Sequence, residues 1–333
     1  MQKSKPFRSN PELDRILNDL SELLIPLQSQ IQEKFTETTW PVTLIIGVPR
    51  SGTTLLLQIL SSVGGFSYPT NLINRFAYLP YIGALIQRIL FDPACDYQDQ
   101  FEDLQSKVNF ISNLGTSKGA LATNEFQYFF RNFMPKQDDG FIEINNLSSV
   151  NVKGIISGFA SIESVFSKPF ICKGILLQNN LDFFASALPK TIFVAVDRDP
   201  LFNMQSLYFA RKKYTDSIFH WWSLKPKEYP MIKNFTIYEQ IAAQVFCLKK
   251  AINEGLKTLP DNRKIIFSYD EVCNSPEKIY ECIIEKYNDL GYKFSWPSAK
   301  FPEFTPQKNI KITDSERIKF IRAYESMNDL LYS

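Results

Sequence analysis

The chain has 333 residues, 44% hydrophobic and 22% charged, a composition typical of a folded globular protein and not of a disordered chain, a collagen or a coiled coil. Its 37 basic and 35 acidic residues leave a net charge of +2, which argues against nucleic acid or an anionic membrane as a general partner. With a single histidine, His220, a three-histidine metal site is excluded, and a Ser-His-Asp triad would need that one residue.

The cysteines are odd in number, and none is spaced as C-x-x-C: Cys95, Cys172, Cys247, Cys273 and Cys282. The first residues lack the apolar core of a secretory signal. No apolar run approaches the roughly 18 residues of a membrane helix. We therefore expect free thiols in a reducing compartment, a cytoplasmic protein and no integral membrane segment.

The first predicted element is a helix that starts at Asn10-Pro11-Glu12, a cap residue followed by proline at the first helical position. Leucine and isoleucine follow at helical spacing up to Ile31, and we expect residues 1–38 to pack on the domain. The run from Val42 to Ile46 is apolar without alternation, which predicts a strand buried on both faces. A turn over 47–54 and a helix over 55–62 come next, and Gly64-Gly65 ends that helix.

Residues 66–150 are aromatic and irregular, with predicted helical pieces at 79–90 and 97–111. The later elements alternate: strands at 169–173, 191–196 and 264–268, and helices at 178–188, 200–213, 237–258, 276–290 and 314–331. Such alternation predicts a mostly parallel α/β sheet. Without any linker that would separate domains, we expect one domain over 1–333, with 66–150 as a substrate-facing insertion.

The strongest motif runs from Gly47 to Thr54, between the first strand and its helix, in the frame G-x-x-x-x-G-x-T. Glycines let the backbone turn its N–H groups inward, and the helix start adds unpaired donors and partial positive charge, so the loop predicts an anion site. The competing interpretation is a plain strand-helix turn. A nucleotide triphosphatase would carry lysine where this chain has Thr53, and the cation here lies inside the loop, at Arg50.

The loop sequence P-R-S-G-T-T after a strand resembles the 5'-phosphosulfate loop of sulfotransferases, which use 3'-phosphoadenosine 5'-phosphosulfate (PAPS). A second motif agrees: a strand that ends at Arg198, followed eight positions later by Ser206, resembles the family's 3'-phosphate site. The segments Phe219–Pro226 and Glu239–Gln244 resemble a bacterial-type branch. The resemblance implies a three-layer α/β sandwich with a central, mostly parallel sheet, the P-loop NTPase-like sulfotransferase fold.

The same resemblance implies roles for individual residues, without a metal. Arg50 and the backbone of Ser51, Gly52, Thr53 and Thr54 would hold the sulfonate and the 5'-phosphate. Lys173, at the end of its strand, would stabilise the leaving-group oxygen, and Tyr269 lies in a segment similar to one beside the family's nucleotide. We interpret the basic run Arg211-Lys212-Lys213 as a solvated helix end, and a further contact to the 3'-phosphate is the less favoured alternative. If the C-terminal segment folds back, Lys308 and Lys311 would lie over the nucleotide.

The general base is the least determined residue. Cytosolic sulfotransferases have a histidine just after the lysine that matches Lys173, and here that stretch has none. Glu125, which lies among aromatic residues, is the first candidate. In the alternative without a catalytic role, it pairs with an arginine such as Arg131 or caps a helix. His220 is the second candidate, with a packed, hydrogen-bonded histidine as its alternative.

The sequence thus predicts sulfuryl transfer from PAPS to a hydroxyl or amine of an acceptor, by in-line displacement. The acceptor is expected to be a small molecule, a carbohydrate or a lipid, with no nucleic acid as partner. Two competing interpretations stay open: a P-loop kinase or nucleotide hydrolase, and a catalytically inactive nucleotide-binding relative. Neither the acceptor nor the oligomeric state follows from the sequence.

Overall fold

The computed structural model describes residues 10–98, 100, 104, 112–113, 116–135, 142–215, 217–298, 300–302 and 304–332. Its strands are β1 (Val42–Ile46), β2 (Ser112–Asn113), β3 (Thr116–Ser117), β4 (Ile171–Lys173), β5 (Thr191–Asp197) and β6 (Lys264–Ser268). Its α-helices are α1 (Pro11–Leu24), α2 (Gln28–Lys34), α3 (Thr53–Ser62), α4 (Pro80–Phe91), α5 (Gln127–Phe133), α6 (Val152–Phe166), α7 (Leu181–Ala187), α8 (Pro200–Tyr214), α9 (Tyr229–Ile232), α10 (Ile237–Lys257), α11 (Tyr269–Asn274), α12 (Pro276–Asp289) and α13 (Asp314–Tyr332). Short 3-10 turns lie at Ile25–Leu27, Ile73–Phe76, Pro93–Cys95, Ile144–Ser149, Gln178–Asn180 and Asp261–Arg263.

Four strands form one parallel sheet in the order β4-β1-β5-β6. β1 lies inside the sheet, where Leu44 pairs with Cys172 of β4 on one side and with Phe193 of β5 on the other. β5 pairs in turn with β6, with Asp197 opposite Ser268. The strands run parallel, so their carboxyl ends share one edge of the sheet. β2 and β3 form a separate antiparallel pair.

Both faces of the sheet are covered, which explains why β1 is apolar without alternation. Leu44 and Ile46 belong to a core that includes residues of α5, α6, α7, α8, α10 and α13. Ile45 points to the opposite face, into a core with residues of α3 and α12. Helices therefore flank the sheet on two sides, and the prediction of a three-layer α/β sandwich with a parallel sheet is confirmed.

The predicted elements agree closely with those observed. Each predicted strand, and each helix from α3 onward that the sequence indicated, differs at its ends by three residues or fewer, apart from the helix at 97–111, which lies almost entirely outside the described residues. The cap at Asn10 is confirmed, because its side chain accepts a hydrogen bond from the N–H of Leu13. The N-terminal segment contacts α6, where the hydroxyl of Ser157 donates to the carbonyl of Ile31 at 3.2 Å. The organisation of 1–333 as one domain stays a prediction.

Helix α6 is the largest element that the sequence did not indicate. Ten of its fifteen residues are buried, and small residues such as Ser157 and Ser161 interrupt its apolar positions, so the sequence does not indicate a helix there. Gly154 and Gly158 also argue against a helix, yet they serve packing: a Cβ on them would lie 2.3 Å and 2.2 Å from the rings of Phe133 and Phe129. The glycines let α5 approach α6 closely.

The five cysteines are free thiols. Among the described residues, no helix is both long enough and apolar enough to cross a membrane. A cytoplasmic location stays a prediction.

Candidate active site

Each strand of the parallel sheet ends beside one residue that the sequence predicted for the anion site. β1 leads into the loop that carries Arg50, and β4 ends at Lys173. β5 is followed by Arg198, and β6 by Tyr269. Ligands of open α/β sheets bind at this edge, and the strand order brings together residues that are far apart in the chain.

The loop between β1 and α3 has the backbone shape of an anion cradle. Arg50 has a φ of 75° and Gly52 a φ of 102°, both in the left-handed region. Such turns direct N–H groups into a concavity, and α3 begins directly after it with N–H groups that have no acceptor within the helix. A Cβ at Gly47 would lie 2.8 Å from the carbonyl oxygen of Val196, so glycine is required where the loop leaves the sheet.

Arg50 and Ser206, which the sequence assigned to two different motifs, contact each other, although Ser206 was expected to act together with Arg198. The Nε of Arg50 donates to the hydroxyl oxygen of Ser206 on α8 at 2.9 Å. Desolvation lowers the pKa of Arg50, and the nearby carboxylate of Glu125 acts in the opposite direction. The two motifs therefore form one site.

Arg198 ties the loop to two other segments. Its Nη1 donates to the carbonyl of Arg50 at 2.9 Å, and its Nη2 donates to the carbonyl of Gln307 at 2.8 Å. The guanidinium lies 4.1 Å from the ring centroid of Tyr269, a cation-π contact. The same ring packs on Gly52, where a Cβ would lie 2.6 Å from it. Burial lowers the pKa of Arg198.

Lys173 joins the loop to the predicted base. Its side chain is only 3% exposed, and its Nζ donates to the hydroxyl of Thr54 at 2.9 Å and to the carboxylate of Glu125. The second oxygen of that carboxylate accepts from the amide of Gln127 at 2.6 Å. Glu125 is thus ion-paired, as its alternative expected, but with Lys173 and not with an arginine such as Arg131. A buried cation, a loop hydroxyl and a carboxylate thus lie in one cluster.

Two buried donors of the site have no hydrogen-bond acceptor among the described residues: the hydroxyl of Ser51 and the Nε of Arg198. Buried polar groups in proteins are nearly always hydrogen-bonded. Both groups would be satisfied by oxygens of a bound anion, so the residues present fit an anionic ligand. In the parts of the chain that the structure describes, no group of three or more His, Cys, Asp or Glu residues could hold a metal ion.

Comparison with known proteins identifies the family. Residues 41–288 match the model of the sulfotransferase family. The chain belongs to the sulfotransferase family. No match is found among curated proteins. The prediction of a sulfotransferase is confirmed. The family match argues against the interpretation as a kinase or nucleotide hydrolase.

Solved structures of sulfotransferases share the fold. Sulfotransferase STF9 from Mycobacterium avium aligns with 94% of this chain and 74% of its own, at 9% sequence identity and a TM-score of 0.50. Sulfotransferase STF1 from Mycobacterium tuberculosis H37Rv aligns with 96% of this chain and 82% of its own, at 11% identity and a TM-score of 0.50. At such identities the likeness concerns the fold alone.

His220, the second candidate base of this sulfotransferase, lies in the loop after α8. Its backbone N–H donates to the carbonyl of Ser217 at 2.9 Å. In the same loop Trp222 stacks on Tyr214 of α8, with ring centroids 5.1 Å apart. A catalytic role for His220 stays a prediction.

Arg211 differs from its predicted role. The interpretation of a solvated helix end is wrong for this residue, because it is fully buried. Its Nη1 donates to the side-chain oxygen of Gln240 at 2.9 Å, its Nη2 to that of Gln244 at 3.3 Å, and Trp221 covers the guanidinium at 4.5 Å. Burial lowers the pKa of Arg211 to about 10. The two glutamines belong to the segment that resembles the bacterial-type branch, and their contact with Arg211 gives that segment a structural role.

Several supporting residues had no signal in the sequence. The amide oxygen of Gln178 accepts from the N–H of Gly47 at 3.1 Å, and the amide of Asn203 donates to the carbonyl of Pro49 at 3.0 Å. Both brace the loop from outside. Asparagine and glutamine near a strand end are common, and only the fold shows which of them reach the loop backbone.

The C-terminal segment folds back onto the site, the arrangement in which Lys308 and Lys311 were expected to approach it. The amide of Gln205 donates to the carbonyl of Asn309 at 3.0 Å and accepts from the N–H of Lys311 at 2.6 Å. The ammonium of Lys308 pairs with Asp270 at 2.5 Å. Together with the bond from Arg198, these contacts hold the segment against α8 and α11.

Proposed function

We propose that the protein transfers a sulfuryl group from PAPS to a hydroxyl or amine of an acceptor, by in-line displacement. The observation that carries this proposal is the position of the Lys173 ammonium, which bonds both Thr54 of the anion loop and Glu125. It links the group that would hold the donor to the group that would take the acceptor proton. A nucleotide-binding module would need the loop but not the carboxylate.

PAPS, the donor, would carry the activated sulfuryl group and two phosphate groups through which the protein would bind it. Arg50, the N–H groups at the start of α3 and the unpartnered hydroxyl of Ser51 would bind the oxygens of the phosphosulfate. Arg198 and Ser206 would bind the 3'-phosphate, and the Nε of Arg198 lacks an acceptor among the described residues. Cations and N–H groups fixed in advance stabilise developing charge without reorganisation.

The proton and the charge have defined destinations in this proposal. The bond between sulfur and the acceptor oxygen forms while the bond between sulfur and the bridging phosphate oxygen breaks. The acceptor's proton passes to the carboxylate of Glu125, and the electron pair of the broken bond stays on the departing 5'-phosphate. Arg50 and Lys173 would balance that new negative charge. General base catalysis of this kind contributes roughly 10²- to 10⁴-fold.

The test of donor binding is a thermal-shift comparison between three nucleotides. 3'-phosphoadenosine 5'-phosphate (PAP), added without metal at 100 times its Kd, should stabilise the folded protein by about 2.7 kcal/mol. Because the entropy of unfolding grows with chain length, that free energy should raise the melting temperature of this chain by about 4 °C. ADP, which lacks the 3'-phosphate, should give a smaller shift. A larger response to ATP with magnesium would contradict the proposal.

A matched pair of arginine variants assigns the shift to the site. Arg198→Met should remove most of the PAP response, because it removes the predicted 3'-phosphate ligand. Arg263 is the control, since its guanidinium donates to backbone carbonyls, among them those of Thr191 and Leu188 at the opposite end of β5. Arg263→Met should lower the melting temperature and leave the PAP shift intact. Equal loss of the shift in both variants would refute the assignment.

A further inference from the structure

The proposed base is carried by a turn that a single asparagine side chain closes. The Oδ1 of Asn124 accepts from the N–H of Phe126 at 2.9 Å, so that Glu125 is the central residue of an Asx turn. This bond fixes the backbone on both sides of Glu125. It also satisfies a buried N–H, which would otherwise lack an acceptor at the start of α5.

The residue after the base holds a conformation that needs such support. Phe126 has a φ of 57°, in the left-handed region that bulky residues rarely adopt. Its ring is fully buried and stacks on Phe129 at 4.3 Å. Packing of the ring and the hydrogen bond that the Phe126 N–H donates to Asn124 hold the strained backbone together. The chain therefore turns sharply at Glu125 and directs it toward Lys173.

The other end of the Asn124 side chain is anchored across the insertion. Its Nδ2 donates to the Oδ1 of Asn71 at 2.9 Å. The Nδ2 of Asn71 in turn donates to the carbonyls of Ser117 and Gly119, both at 2.9 Å. Backbone bonds run parallel to this chain of amides, including one from the N–H of Asn124 to the carbonyl of Pro69 at 2.9 Å. The hydrogen bonds of both amides go to groups other than the carboxylate of Glu125, so both act on it through the backbone.

We propose that Asn124 is a positioning residue for Glu125, anchored by Asn71. It holds the turn in the one shape that keeps the carboxylate on Lys173 and near the loop. The inference rests on the proposed function, because it concerns the proposed base. We expect that replacing either amide lowers the reaction rate and leaves the affinity for the donor unchanged.

The experiment measures acceptor-independent hydrolysis of PAPS to PAP and sulfate in single turnover, with water as the acceptor, together with PAP affinity by calorimetry. Asn124→Ala should lower the hydrolysis rate between about 10- and 100-fold, part of the full contribution of a general base. Asn71→Ala, which leaves the turn itself intact, should lower it less. Both variants should keep the PAP Kd within about threefold, since neither residue touches the loop.

Asn151 provides the matched control. Its Oδ1 accepts from the N–H of Gly154 at 2.8 Å and caps α6, a similar bond to a backbone N–H in a helix that contributes none of the site residues named above. Asn151→Ala should lose stability and keep the hydrolysis rate. Asn124→Ser should recover part of the rate, because a serine hydroxyl can accept from the same N–H, though more weakly.

A double-mutant cycle with Glu125→Gln separates positioning from a merely structural role. If Asn124 acts through Glu125, adding Asn124→Ala to Glu125→Gln should change the rate less than about twofold, because coupled residues are non-additive. An equal loss in both backgrounds overturns the inference while the proposed function stands. If Asn124→Ala does not fold, Asn71→Ala is placed in the same cycle. Wild-type protein that does not bind PAP overturns the proposed function itself, and wild-type protein that binds PAP but does not hydrolyse PAPS overturns the inference.

Discussion

Replacement of Gly52 by alanine tests whether the loop, Tyr269 and Arg198 form one binding unit. The new Cβ would lie 2.6 Å from Cδ2 of Tyr269 and 3.0 Å from its Cε2, where ordinary contacts lie at 3.4 Å or more. The ring would have to move by about 0.8 Å, the difference between the first distance and an ordinary contact. It would then leave the face of Arg198, whose guanidinium lies 4.1 Å from the ring centroid.

The expected cost has two parts. Alanine at a φ of 102° stores roughly 1–3 kcal/mol of backbone strain. Loss of the cation-π contact adds about 0.5–1 kcal/mol, because the site is partly exposed. Gly64→Ala is the control for the first part: Gly64 also has a positive φ, 77°, but nothing lies within 4 Å of the added Cβ.

Urea unfolding measures the loss of stability, and calorimetric titration with PAP measures the effect on nucleotide binding. Both variants should lose stability, and Gly52→Ala should lose more. Only Gly52→Ala should weaken PAP binding, by about 10-fold or more, which corresponds to about 1.4 kcal/mol. If Gly52→Ala binds PAP as tightly as Gly64→Ala does, the loop and the Tyr269–Arg198 pair do not act as a unit, and the reasoning fails.

Three further predictions concern charge and ionisation. Lys173→Met should lower the rate of sulfuryl transfer about 10²- to 10³-fold, the effect of removing one stabiliser of developing charge. It should also lower the free energy of unfolding by about 1–3 kcal/mol, because the part-buried carboxylate of Glu125 loses its cationic partner. Rates and urea unfolding check both, and an unchanged rate would exclude Lys173 from catalysis. His220→Asn should keep the wild-type rate, and a loss near that of Glu125→Gln would make histidine the base instead. Burial raises the pKa of Tyr68 to about 12, so between pH 10 and 12 the folded protein retains a proton that the unfolded chain has lost. Stability should therefore fall above pH 10, by at most about 1.4 kcal/mol per pH unit from this group. In Tyr68→Phe the fall should be less steep, and urea unfolding over this pH range measures it.

The parts of the site that follow from local pattern are predictable from the sequence. An apolar run that is buried on both faces marks a strand, and a glycine-spaced turn after it marks an anion loop, so the pattern indicates where Arg50 lies. Lys173 is added by the resemblance to sulfotransferases. Parallel strands then require that Arg198 and Ser206 meet the loop at one edge. Glu125 is selected by the chemistry that the reaction needs, and the structure joins it to Lys173.

The residues that were missed act through tertiary contacts that no local pattern records. Gln178 braces Gly47 from another strand end, and Asn124 closes a turn whose importance depends on where Glu125 lies. The prediction for Arg211 is wrong because a basic run at a helix end is usually solvated, whereas here α10 and Trp221 cover it. Tertiary burial overrides the usual exposure of arginine.

Transfer of labelled sulfate from PAPS to an acceptor is the proposed activity itself and can be measured directly. Wild-type protein and Glu125→Gln are incubated with [³⁵S]PAPS and, in turn, with sugars, lipid headgroups, phenols and amines, and labelled product and PAP are both quantified. We predict that at least one acceptor class yields labelled product and PAP in equal amounts, and that Glu125→Gln retains PAP binding but loses this yield by about 100-fold or more. Wild-type protein that binds PAP yet labels no acceptor, or Glu125→Gln that labels as fast as wild type, would contradict it.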